Sequence, residues 1–141
     1  MTEKLKIGLT FSDTFVVQKD QTIGFMGEDR RVYSTPSMVQ NTERSCRNFL
    51  LKYIDSSQDS VGTIVGIEHL GPTLIGQKVT INSQITDIDR RRIEFLCQIY
   101  DELDHVGRMK HTRFIIDKIR QSERLELKIQ RMQEAGINRN S

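Results

Sequence analysis

A chain of 141 residues with a formal charge of +2 has room for one domain with a real core, and so small an excess of charge argues against a nucleic-acid-binding protein. Only 36% of its residues are hydrophobic, no run approaches membrane-span length, and Met1–Lys6 lacks the apolar core of a signal peptide. Cys46 and Cys97 stand singly in apolar segments, which predicts reduced, buried thiols in a cytoplasmic protein rather than a disulfide.

In chain order, Leu5, Ile7, Leu9 and Phe11, then Phe15, Val16 and Val17, predict one or two β segments over 5–17, broken near Ser12-Asp13. Gly24, Gly27 and the charged run Glu28–Arg31 predict mostly loop over 18–34. A helix starts next, with Thr35 suited to the N-cap and Pro36 to the first helical position, and it should run to about Tyr53. On a helical projection Met38, Val39, Thr42, Cys46, Phe49, Leu50 and Tyr53 form one face, and Glu43 sits on its margin. Strands follow over 61–70, 77–88, 92–100 and 106–117, the last three joined by short polar turns at Asp89-Arg90-Arg91 and Asp104-His105 as an antiparallel meander. A single long helix after the first strand must cover one face of that sheet. The class is therefore α+β, an antiparallel sheet wrapped around one long helix. Lys118–Ala135 reads as a C-terminal helical extension with Gly136 as its stop. Its thin apolar line, Leu125, Ile129 and Met132, is expected to dock on the sheet or on a partner subunit, with the basic stripe of Arg120, Arg124, Lys128 and Arg131 facing solvent.

Three residues in this framework carry the types acyl transfer uses: a hydroxyl at a helix start, Thr35; a carboxylate two turns on, Glu43; and a histidine at a strand end, His69. Each has a plainer reading. Thr35 caps the helix, Glu43 pairs with Arg47 one turn on, and His69 is a hydrogen-bonded core histidine. Gly62 permits close packing or a bulge. Arg90, Arg91 and Arg92 are a solvated turn, or one of them meets a phosphate of a ligand. The three histidines are scattered and no paired cysteine motif exists, so no metal site is expected.

The words Thr35-Pro36-Ser37-Met38-Val39 leading to Glu43, Ser60-Val61-Gly62-Thr63, His69-Leu70-Gly71-Pro72-Thr73 with Gly76, Asp89–Arg92 and Gly107–Phe114 resemble one known family. It is the fluoroacetyl-CoA thioesterase-like branch of the hotdog-fold thioesterases, and the resemblance covers roughly residues 14–117. It implies a hotdog domain over 1–117 with a helical tail over 118–141. The chain would hydrolyse a small acyl-CoA to free acid and CoA in the cytoplasm, with no cofactor beyond the CoA of its substrate. The resemblance also implies a homodimer, or a dimer of dimers, with acyl-CoA bound between subunits and no nucleic-acid or membrane partner. Thr35, Glu43 and His69 would be catalytic, and Gly62 would lie against the acyl group. His69 would take a proton from Thr35 or from a water held by it while Glu43 orients the imidazole; in the rival assignment Glu43 is itself the nucleophile. The segment Gly24–Tyr33 is shorter and more charged than the aromatic-rich lid of the fluoroacetyl-specific member, so the resemblance carries thioester chemistry without that selectivity. A non-catalytic acyl-CoA-binding sensor or assembly module is the alternative from a different class.

Overall fold

The computed structural model of the chain describes residues 4–139, so Met1–Glu3 of the expected start and Asn140 and Ser141 of the expected tail lie outside the described residues. Among the described residues, seven strands and two α-helices are ordered as β1 (Thr10–Val16), β2 (Thr22–Ile23), β3 (Val32–Tyr33), α1 (Thr35–Leu51), β4 (Gln58–His69), β5 (Lys78–Asp89), β6 (Arg92–Tyr100), β7 (His105–Asp117) and α2 (Lys118–Glu134). Five strands form one antiparallel sheet in the order β1-β5-β6-β7-β4, and β2 and β3 form a separate hairpin inside the segment expected to be loop. The meander β5-β6-β7 is as expected; β4 closes one side by pairing with β7 and β1 closes the other by pairing with β5.

The alternation of β5 and β6 explains how the sheet holds α1. Val79, Ile81 and Ile85, then Ile93, Phe95, Cys97 and Ile99, all point to one face and are buried. Against that face α1 lays Met38, Thr42, Cys46, Phe49 and Leu50, five of the seven residues on its projected apolar face, while Val39 and Tyr53 are half-buried. Phe11 of β1 stacks on Phe49 at 4.0 Å and meets Phe95 edge-on at 5.9 Å, tying the edge strand to helix and sheet together. Cys46 and Cys97 face each other across this core as free thiols, their sulfurs 3.6 Å apart. Burial pushes the Cys46 thiol well up, and the hydrogen bond it donates holds Cys97 down.

β4 lies at the end of the sheet order with Ile64 and Val65 exposed, an apolar strand with one side unpaired within the subunit. α2 runs directly on from β7 and buries none of its residues. Its basic stripe faces solvent as expected, but Leu125 is exposed and only Ile129 and Met132 of the apolar line are half-buried within one subunit. The arginine turn is ion-paired: Arg91 meets Asp117 at 3.3 Å, and Arg92 meets Asp87, Asp89 and Glu94 at 3.6, 3.8 and 2.8 Å.

Candidate active site

The start of α1 sits one residue earlier in its capping pattern than expected. Ser34, in extended conformation, is the N-cap, and its hydroxyl accepts the backbone N–H of Ser37 at 3.2 Å. Thr35 and Pro36 are therefore the first two helical residues. The correction matters chemically, because the Thr35 hydroxyl is not needed to cap the helix. Its Oγ1 lies 2.6 Å from Nδ1 of His69, which ends β4.

The surroundings of that pair keep the imidazole neutral and so able to accept a proton. Burial pushes the His69 pKa below its ordinary 6.5, a shift only partly opposed by a backbone hydrogen bond at Gly71. A neutral ring has a bare nitrogen, and Nδ1 is the one within reach of Thr35. The N-terminus of α1 places the positive end of the helix beside the same hydroxyl, where it stabilises developing negative charge on oxygen.

Glu43 belongs to a second cluster. It lies two turns along α1 from Thr35, about 12 Å at the rise of a regular helix, and among the described residues no hydrogen bond joins it to His69. Its expected partner Arg47 is taken by Asp59 of β4, with contacts of 2.9 and 2.6 Å. The carboxylate instead faces Arg113, Oε2 to Nη1 3.8 Å. Gly62 is what lets it lie there: a Cβ at that position would stand 2.6 Å from Glu43 Oε2 and 3.1 Å from His111 Cε1. The glycine sits at a β-bulge, where the pairing of β4 with β7 shifts register between Gly62 and Ile64.

Beneath that glycine lie two groups the sequence reading passed over. His111 and Arg113 are 1% and 4% exposed, on the helix-facing side of β7 between Met109 and Ile115. Arg113 donates from Nε to the Ser60 hydroxyl at 2.7 Å and from Nη2 to the Ser60 carbonyl at 2.9 Å. His111 donates from Nδ1 to the Ile64 carbonyl at 2.8 Å, and its Nε2 is 3.1 Å from Arg113 Nη1. The signal was in the alternation: residues 109, 111, 113 and 115 share one parity, and the outer two are apolar. Of the remaining histidines, His105 is at the start of β7, stacked on Tyr100 at 4.7 Å. Among the described residues no three His, Cys, Asp or Glu side chains gather as metal ligands.

This geometry can be set beside known proteins. The family model of fluoroacetyl-CoA-specific thioesterases matches residues 17–119. The chain belongs to that family. It is a hotdog-fold acyl-CoA thioesterase, a thioester hydrolase. The fluoroacetyl-CoA thioesterase of Streptantibioticus cattleyicolor is 25% identical over 123 residues, covering 82% of this chain and 88% of the relative. A solved fluoroacetyl-CoA thioesterase superposes with a TM-score of 0.81 at 23% identity, over 89% of this chain and 98% of its own, a likeness of fold. A thioesterase superfamily member from Thermus thermophilus gives a TM-score of 0.80 at 25% identity, over 92% and 96% of the two chains.

If His69 is the base, its protonation must stop the reaction. Because its folded-state pKa is lowered, the acid limb of kcat/KM is expected to have its midpoint below 6.5. A pH–rate profile with a small acyl-CoA checks this; a limb centred well above 6.5 contradicts the assignment.

Proposed function

We propose that this thioesterase cleaves small acyl-CoAs at the Thr35–His69 pair. The observation that carries the reading is the 2.6 Å contact between Thr35 Oγ1 and His69 Nδ1 at the positive end of α1. As the oxygen attacks the thioester carbonyl, His69 takes the proton from Thr35 or from a water held by it, and the helix terminus stabilises the oxyanion. The CoA thiolate is a good leaving group and needs no strong general acid. In the nucleophilic version, His69 passes that proton to the departing thiolate or to solvent and, neutral again, takes one from a water that releases the acid from Thr35. CoA enters as part of the substrate and no separate cofactor takes part.

Glu43 and Gly62 enter from a second subunit in this reading. Two copies pairing their β4 strands antiparallel would continue the sheet and cover the exposed Ile64 and Val65. Antiparallel pairing sets the start of one β4 against the end of the other, so the Gly62–Glu43 half of one subunit approaches the Thr35–His69 half of its partner. Acyl-CoA then binds between subunits, with Gly62 against the acyl group. Glu43 either orients the imidazole or attacks the thioester itself. A fluoroacetyl-CoA thioesterase variant solved in complex with fluoroacetate and CoA, 25% identical with a TM-score of 0.74 over 80% of this chain, supports the ligand class. Residues 1–117 form the catalytic unit and 118–141 an accessory tail, in a cytoplasmic protein that keeps Cys46 and Cys97 reduced.

The acyl group is set by the segment before Thr35, which is stapled shut on itself. Arg31 donates to Thr22 Oγ1 at 2.8 Å, to the Thr22 carbonyl at 3.1 Å and to Glu28 Oε1 at 2.8 Å, and Phe25 and Met26 are left exposed. Hydrolysis rates over a short panel of acyl-CoAs, fluoroacetyl-CoA included, test the substrate class: the fastest turnover should fall among the short chains without a marked preference for the fluorinated one.

His69→Ala should cut kcat by about 10²–10⁴, the usual loss for a general base, with the circular dichroism spectrum unchanged. Glu43→Gln preserves shape and removes charge, so a wild-type rate there would leave the carboxylate only structural. Sedimentation should give a dimer mass at the concentrations used for assay. A fully active monomer would remove the inter-subunit site.

A further inference from the structure

The buried pair beneath Gly62 has no part in the chemistry described so far, yet its hydrogen bonds allow only one protonation state. The Ile64 carbonyl can only accept, so His111 Nδ1, 2.8 Å away, carries a proton. The Arg113 guanidinium can only donate, so His111 Nε2, 3.1 Å from Nη1, must be bare. One species satisfies both neighbours, the neutral ring protonated at Nδ1. An imidazolium would set N–H against N–H, and cation against cation, in a place with almost no solvent. Phe95 stacks alongside, ring centroids 6.2 Å apart and 27° from parallel, which restricts the ring from turning.

With His111 in that state the guanidinium is clamped on three sides, by the Ser60 hydroxyl, the Ser60 carbonyl and the imidazole. Its Nη1 then faces Glu43 Oε2 at 3.8 Å, too long for a hydrogen bond. Glu43 is thus placed by charge and by the gap over Gly62, and Nη1, the atom that attracts it, is the atom His111 holds. A purely structural core would gain little here: a buried ionic group is commonly matched or bettered in stability by apolar residues of similar volume.

We propose that His111 is a positioning residue for the thioesterase reaction, acting through Arg113 to hold the Glu43 carboxylate in place, and that it does so as the neutral Nδ1-protonated tautomer. This rests on the reading of Glu43 as a functional carboxylate. The charged and titratable groups around the pair are Glu43, Cys46 and Arg47 on α1 and Asp59 on β4. Of these, the Glu43 carboxylate is the one that forms an ion pair with Arg113.

The test is a double-mutant cycle on the full chain with a small acyl-CoA. His111→Leu should lower kcat by about 10- to 100-fold, the scale of a misplaced catalytic group, while KM changes little. His111→Gln, whose amide can accept from Arg113 and donate to Ile64, should restore most of the rate. In the Glu43→Gln background, His111→Leu should cost almost nothing more, because the two act in series. A wild-type kcat for His111→Leu, the same loss in the Gln variant, or full additivity with Glu43→Gln would each overturn the proposal while leaving the function of Glu43 intact. Wild-type turnover in Glu43→Gln alone would instead remove the reading on which it rests, and the proposal with it. Should His111→Leu fail to fold, the Gln variant and ¹⁵N spectra of the wild-type imidazoles decide. A protonated Nδ1 with a bare Nε2 at the pH of maximal activity supports the assignment, and an imidazolium or the opposite tautomer overturns it.

Discussion

The capping of α1 by Ser34 governs the rest of the site, because a helix start can use only so many hydroxyls. With Ser34 bonded to the Ser37 N–H, the next hydroxyl along the chain is left with neither a capping duty nor a backbone partner in the first turn. It turns instead to the histidine that ends β4. Thr35 is thereby held at the positive end of a helix and against a base that burial keeps neutral. Helix dipole, hydroxyl and imidazole meet because a serine precedes a threonine.

The second cluster obeys a different constraint, that of charge in a poor solvent. Arg113 lies on the buried face of β7 and is held by Ser60 and His111, while Glu43 reaches it only because Gly62 has no side chain. The bulge at Gly62 breaks the regular pleat of β4 where that approach is made. Two clusters two helical turns apart on one helix, next to a sheet edge that exposes apolar side chains, are what a two-fold site built from halves of two subunits would require.

Much of the framework was legible in the sequence, for reasons specific to each element. The period of α1 named five of the six residues it buries, missing Ser45, and the polar turns placed β5, β6 and β7 side by side as the meander that forms. What escaped did so for different reasons. Two-residue strands such as β2 and β3 are too short to alternate, so their hairpin passed for loop. Ser34 and Thr35 are both good caps, and only the fold decides between them. Arg47 had a helical neighbour of opposite charge in Glu43, but a strand partner, Asp59, offered two hydrogen bonds instead of a surface pairing. His111 and Arg113 were hidden by their polarity, since side chains of that kind on a strand are ordinarily turned to solvent.

The central claim is that the Thr35 hydroxyl is part of the reacting centre, whether it attacks the thioester or holds the water that does. Thr35→Val keeps the volume and branching of the side chain and removes only that hydroxyl. The most direct measurement is kcat/KM of this variant with a small acyl-CoA, in protein shown to keep the wild-type fold and assembly. The account predicts a fall of about 10² or more, the scale of a lost catalytic group; a rate equal to wild type would contradict it.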